Sequence, residues 1–324
     1  MNATERRAGD PLRVFVAGAT GAIGQALIPK LLDKGYHVTA MTRTPENAAG
    51  VERLGASPVV CDVFDRDKLM RVVAEAQPEV VINQLTELPK TGLKPRKLAD
   101  YYAKNDRIRT EGTDNLLHAV PAAGAQRYIG QSVAFFYEPK GGTVKAEGEP
   151  LWTAGPEPFG AAAKAIQRME EAIRNAADLD GVVLRYGTFY GPGTWYTPDG
   201  EIGRQMKKRQ YPNIGSGEGM TSFIHIDDAA AACVAFVESG QPGIYNVVDD
   251  EPATANQWMP VFAEAIGAKP PRRVPAGLAR LIAGGPLVEW ATTCRGASNE
   301  QLQRELVWRP RYPSWQRGFR EALA

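Results

Sequence analysis

Leu12-Arg13-Val14-Phe15-Val16-Ala17-Gly18-Ala19-Thr20-Gly21-Ala22-Ile23-Gly24 runs from apolar residues into three closely spaced glycines. An apolar run ends in a glycine-rich turn, and the turn opens onto Ile23, Leu27, Leu31 and Leu32, the spacing of one helix face. That order predicts strand, turn, helix. Gly18 is expected to allow the tight turn, Gly21 to let backbone approach a pyrophosphate, and Gly24 to let the helix pack close to the strand. Thr20, Ala22 and Ile23 lie where the helix start offers free N–H groups and its positive dipole end to phosphate. A glycine triplet alone marks only a turn. Between a strand and an amphipathic helix it reads as a dinucleotide-binding motif.

Outward from this motif, strand-like and helix-like stretches alternate. Strands are expected at Leu12–Ala17, His37–Met41, Pro58–Cys61, Val80–Asn83, Arg127–Gln131 and Val182–Arg185. The helices between them are expected near Ala22–Lys34, Glu46–Leu54, Asp65–Glu75, Arg96–Ala119 and Ala161–Ala176, with Pro29 kinking the first. Such alternation implies βαβ units and a doubly wound parallel sheet covered on both faces, an α/β fold. After Arg185 the texture changes to a Gly-, Pro- and aromatic-rich segment with one short helix around Glu201–Arg209. A strand-like TSFIHI, a helix at Asp227–Glu238 and a strand at Gly243–Val248 follow, before a helical tail broken by prolines.

Composition excludes several classes. The 324 residues carry a net charge of +1, with 44% hydrophobic and 23% charged residues, which fits a soluble globule and no nucleic-acid surface. No apolar stretch reaches the roughly 20 residues of a membrane span. The polar start MNATERRAGD reads as a disordered lead-in over residues 1–11. Cys61, Cys233 and Cys294 lie far apart, without metal-ligand spacing, which suits a reducing cytoplasm. His225, Asp227 and Asp228 sit too close in sequence to converge on a metal, and read better as a helix cap.

Several motifs together resemble the short-chain dehydrogenase/reductase superfamily in its extended, epimerase/dehydratase-like branch. They are GATGAIG, Cys61-Asp62-Val63, Asn105 with EGTDNLLHAV, LRYGTFYGPGT, FIHIDDAA, GIYNVVDDEP and ELVWRPRY. The resemblance covers about residues 12 to 318. It implies a Rossmann domain over 12–186 with returns near 222–248, and a smaller substrate-binding lobe from 187–221 and 249–324. Asp62 and Val63 would hold the adenine, and Lys164 the nicotinamide ribose. Gln84 and Tyr186 would complete the cofactor contacts. Dimerisation through paired helices is common among relatives, so a homodimer is expected by analogy.

The chain also departs from this family. Its catalytic pair is Tyr-x-x-x-Lys, yet four residues before Lys164 stands Gly160, which cannot exchange a proton. The family serine matches Ser132, although counting back from Tyr137 puts it on Val133. A lost general acid costs about 10²–10⁴-fold in rate, so either Tyr137, Tyr190, His225 or water supplies the proton, or the family reaction is gone. The Gly-Pro-aromatic loop Tyr190–Tyr196 favours an enzyme. The expected activity is NAD(P)-dependent hydride transfer to or from a ketone or hydroxyl carbon of a small polar or cyclic substrate. A sugar or nucleotide-sugar epimerase or dehydratase, and a non-catalytic redox sensor, stay as alternatives. At the second strand's end, Thr42 and Arg43 replace the carboxylate that grips the ribose of NAD, which points to NADP with NAD possible.

Overall fold

The computed structural model describes residues 10–89, 92 and 94–323; most of the expected lead-in lies outside them. Seven parallel strands form the central sheet: β1 Arg13–Ala17, β2 His37–Thr42, β3 Ser57–Val60, β4 Val80–Asn83, β5 Arg127–Val133, β6 Asp180–Tyr186 and β7 Gly243–Val247. Their order is β7-β6-β5-β4-β1-β2-β3. The chain leaves β1 in one direction and returns at β4 to build in the other. This reversal opens a crevice at the carboxyl edge, where open α/β sheets bind ligands.

The strands are apolar on both faces because both are covered. Val14 and Val16 of β1 point to one side. Helices α1 (Ala22–Asp33), α2 (Pro45–Arg53) and α8 (Ile226–Glu238) pack there through Leu27, Leu31, Val51, Ala230 and Phe236. Phe15 and Ala17 point to the other, against α3 (Arg66–Ala76), α5 (Thr113–Ala122) and α6 (Phe159–Arg174) through Leu69, Val73, Leu116, Met169 and Ile173. The period-two alternation of β1 thus sorts its side chains between two cores.

Two expectations change. The helix expected over Arg96–Ala119 is α4 (Leu98–Arg107) and α5 joined by a π-helical turn at Ile108–Gly112. Of the two late returns, only β7 joins the main sheet. Phe223–His225 pairs instead with Thr188–Tyr190, as the start of a further core built from Tyr190, Phe223, Trp258, Phe262, Trp315 and Phe319. That aromatic core anchors α7 (Glu201–Lys207), α9 (Ala255–Ala265) and α13 (Trp315–Ala322). Between α9 and α13, α10 (Ala276–Ala283) and α11 (Gly285–Thr293) bring Trp290 over the start of α6. The short α12 (Glu300–Glu305) returns Leu302 to the core beside α8.

Candidate functional site

The glycine turn has the geometry a pyrophosphate needs. Gly18 has φ +90°, and a Cβ there would lie 2.7 Å from the backbone of Gln84. A Cβ on Gly24 would run into the carbonyls of Gly18 and Ala19, so only glycine lets α1 sit this close to β1. Gly21 is the N-cap of α1 and makes no side-chain cap, and the first turn carries no acidic residue. The N–H groups of Ala22 and Ile23 therefore stay available to an anion, with the helix dipole behind them. Along the same edge, the buried atoms Thr42 Oγ1 and Gln131 Oε1 have no hydrogen-bond partner. They stand toward the ends of β2 and β5, and a polar ligand lying along that edge would satisfy them. The residues present fit a dinucleotide.

At the adenine end, Asp65 rather than Asp62 caps α3, accepting from the Lys68 amide at 3.1 Å. Asp62 accepts from the Phe64 amide through Oδ1 at 3.0 Å, which leaves Oδ2 for an adenine amino group. Val63 is buried, and its carbonyl accepts from Asn115 at 3.0 Å. Arg43, beyond Thr42, is exposed and lies 3.3 Å from Glu87, which Lys104 also approaches at 3.7 Å. Two other expected cofactor contacts are corrected. Tyr186 is 1% exposed, and its hydroxyl accepts from Gln84 Nε2 at 3.4 Å beside Cys233. Both side chains pack toward α8.

The reactive end requires the larger correction. Lys164 is exposed on α6, and a Cβ on Gly160 would meet the Gly155 carbonyl of the preceding loop. Gly160 therefore faces the preceding loop, and Lys164 faces solvent. One residue earlier, Phe159 and Ala163 are spaced i, i+4 and share a buried cluster with Val133 and Ala162. The helix face that meets the end of β5 thus carries phenylalanine and alanine where the family's tyrosine and lysine pattern falls, opposite the valine at the family's serine position. Ser132 turns the other way, donating to Glu170 at 2.6 Å.

The expected proton donors are also engaged or buried elsewhere. Tyr137 donates to Asn246 at 2.7 Å and accepts from Arg185 at 2.8 Å, and burial pushes its hydroxyl up to about 12. Tyr190 is fully buried in the aromatic core against Phe223 and Phe319. His225 caps α8, accepting from the Asp227 amide at 3.2 Å, and burial holds it below its ordinary value. Beneath the site runs a closed network. Glu170 holds Arg185 through two contacts, 2.8 and 2.6 Å, as a pair 4% and 5% exposed, and both reach Ser132 or Tyr137.

Sequence reasoning missed Arg109, on the π-turn. It lines a small cavity with Asn83, Thr86, Gln131 and Val133, and pairs with Asp106 at 3.5 Å. Burial raises the Asp106 carboxyl to about 6. Phe159, Trp290 and Arg295 were missed as well. An extra residue in a helix leaves no mark in hydrophobic spacing, and a phenylalanine beside three alanines reads as ordinary packing.

Comparison with known proteins agrees with this geometry. A model of the NAD dependent epimerase/dehydratase family matches residues 14–247. A 3-diazoavenalumate denitrifying reductase from a Streptomyces species is 42% identical over 309 residues, covering 95% of this chain and 99% of its own. The UDP-glucose 4-epimerase of Thermus thermophilus, solved with NAD, superposes with a TM-score of 0.71 at 24% identity, over 96% of this chain and 98% of that one. A human epimerase family protein solved with NADPH superposes at 0.75 with 21% identity, over 96% and 99%. Sheet order, phosphate cradle and family match lead to one conclusion: the chain belongs to the NAD dependent epimerase/dehydratase family, within the extended short-chain dehydrogenases/reductases, and is an enzyme that uses a nicotinamide dinucleotide.

Proposed function

We propose that this chain is an NADPH-dependent reductase that replaces the dinitrogen of an aromatic diazonium group with hydride. One observation carries the reading: Val133, Phe159 and Ala163, on the faces that meet at the end of β5, cannot exchange a proton. Reduction of a ketone makes an alkoxide that needs a proton, and epimerisation needs a base to take one. Reduction of a diazonium carbon needs neither. The C–N bond breaks with its electron pair leaving on dinitrogen, a C–H bond forms with the hydride pair, and no proton is consumed. The relative that is 42% identical is named for the denitrifying reduction of a diazo compound, which supports this reaction over the sugar chemistry of more distant relatives.

A bound dihydronicotinamide supplies the hydride. The chain's own residues bind, orient and exclude water. Gly18, Gly21 and the start of α1 hold the pyrophosphate, and Asp62 and Val63 hold the adenine. Arg43 would meet a 2′-phosphate, in the absence of a carboxylate at the end of β2, which favours NADP over NAD. Phe159 and Trp290, stacked at 5.3 Å, form an apolar wall for a flat ring and keep water from the diazonium carbon.

The test is turnover of a diazotised aminocinnamate with NADPH deuterated at the transferred position. The expected result is enzyme-dependent NADPH oxidation, dinitrogen release and cinnamate carrying deuterium on the ring. Ready reduction of ketones, with no dinitrogen released from the diazonium compound, overturns the proposal.

A further inference from the structure

We infer that Arg295 and Trp290 form a carboxylate seat at the roof of the reactive cleft, so that the substrate class is an arene bearing an anionic side chain. This rests on the reading above that the cleft takes an arene. The indole of Trp290 lies flat on Phe159, with ring centroids 5.3 Å apart and planes 6° apart, and meets Phe135 edge-on at 6.4 Å. Helix α11 ends three residues later, where the Cys294 amide donates to the Trp290 carbonyl at 3.0 Å. The chain then passes through Arg295 into Gly296–Ala297, which pairs with Val144–Lys145. Arg295 donates through Nη2 to the Pro139 carbonyl at 2.7 Å. That carbonyl belongs to the loop leaving β5, which also carries Phe135. The guanidinium and the indole are thus both fastened to one loop beside Phe159.

Two polar atoms are left over. Arg295 Nε and Trp290 Nε1 are buried and have no hydrogen-bond partner. Both are donors, and neither can accept. Among the described residues Arg295 also joins no ion pair, although it is partly buried. A half-buried cation with a spare donor, five residues along the chain from a second spare donor on an aromatic wall and tied to the same loop, is complementary to an acceptor-only anion attached to a ring. A carboxylate meets every part of that description: it neutralises Arg295 and accepts from both N–H groups. Held there, it would lay its ring against Phe135, Phe159 and Trp290. The name of the 42% identical relative's substrate is that of a carboxylate, but the two orphan donors make the case without it.

The experiment measures binding by calorimetry, with the enzyme saturated with NADP⁺ and with cinnamate and its uncharged methyl ester as probes. The wild type is expected to bind cinnamate about 10- to 100-fold more tightly than the ester, the worth of a charge-assisted hydrogen bond. Arg295→Met is expected to bring that ratio close to one. Trp290→Phe keeps an aromatic ring over Phe159 while removing the N–H and part of the ring face, so it should weaken cinnamate several-fold more than it weakens the ester. NADP⁺ affinity checks that each variant is folded. Equal binding of acid and ester by the wild type overturns the seat, as does a preference for cinnamate that survives in both variants. Neither probe carries a diazo group, so the two proposals fail separately. Cinnamate selectivity lost in Arg295→Met, without dinitrogen release in the turnover assay, supports the seat and sinks the reaction. Dinitrogen release with no acid–ester selectivity does the reverse.

Discussion

Phe159→Tyr tests the register of α6 directly. The Phe159 ring is 1% exposed, lies under Trp290, and shares its cluster with Val133 and Ala163. A para hydroxyl there restores the one group of the family's catalytic set that hands a proton to a substrate oxygen. General acid catalysis is worth about 10²–10⁴-fold, or ~3–5 kcal/mol of barrier. The hydroxyl also enters an apolar cluster, where an unpaired buried polar group costs about 1–3 kcal/mol. That cost falls on stability and lowers the melting temperature by a few degrees. The expected outcome is a slightly less stable protein that reduces cyclic ketones about 10²-fold faster than the wild type. Gly160→Tyr is the matched comparison. Its Cβ would run into the Gly155 carbonyl, so it should destabilise by about 1–3 kcal/mol or more through overpacking and gain no activity. Initial rates of NADPH oxidation on a panel of ketones, with thermal melts alongside, decide the matter. A folded, active Gly160→Tyr beside an inert Phe159→Tyr would refute the one-residue shift and return the catalytic diagonal to Gly160 and Lys164.

Three further outcomes follow from the geometry. Arg43→Ser should weaken NADP binding about 10- to 150-fold with little change for NAD, read by titrating both cofactors; unchanged NADP affinity would leave Arg43 a surface residue. Glu170→Gln strands the buried guanidinium of Arg185 and should cost about 3–5 kcal/mol in denaturant unfolding, while Glu170→Leu combined with Arg185→Met should recover much of it. His225 is held below its ordinary value by burial, so the folded state binds fewer protons than the unfolded one. Its contribution is full above the unfolded value of about 6.5 and is lost as pH falls below it. Acidification from about pH 7 to about pH 5 should therefore lower the wild-type melting temperature more than that of His225→Asn; equal slopes would remove His225 from the account.

The framework was legible because it obeys local rules. The apolar run before Gly18, the glycine turn and the period of Leu27 and Leu31 agree on strand, turn and helix, and each later βα unit repeats that agreement. The reactive face was not legible for two reasons. In Pro158-Phe159-Gly160-Ala161-Ala162-Ala163-Lys164, every residue between the phenylalanine and the lysine is small, so hydrophobic spacing cannot say which diagonal turns inward. The lysine drew the register to itself, and only the burial of Phe159 and Ala163 in one cluster with Val133 corrects it. The π-turn at Ile108–Gly112 places Arg109 in the cavity beneath the edge, and a local change of helical pitch has no composition of its own. Ser132, Tyr137 and Tyr190 misled because hydroxyls in a sequence advertise chemistry equally well whether they line a cleft or close a buried network.

That network has a consequence for how this enzyme came to differ from its relatives. Ser132 of β5, Glu170 of α6, Arg185 of β6 and Asn246 of β7 are joined side chain to side chain, with Tyr137 as a bridge. The strands and helix under the cleft are therefore cross-braced from below, independently of what projects above them. Positions 133, 159 and 163 carry none of that bracing. A lineage can exchange them one at a time, passing through folded intermediates at each step, and so trade one reaction for another without rebuilding the floor on which both are carried out.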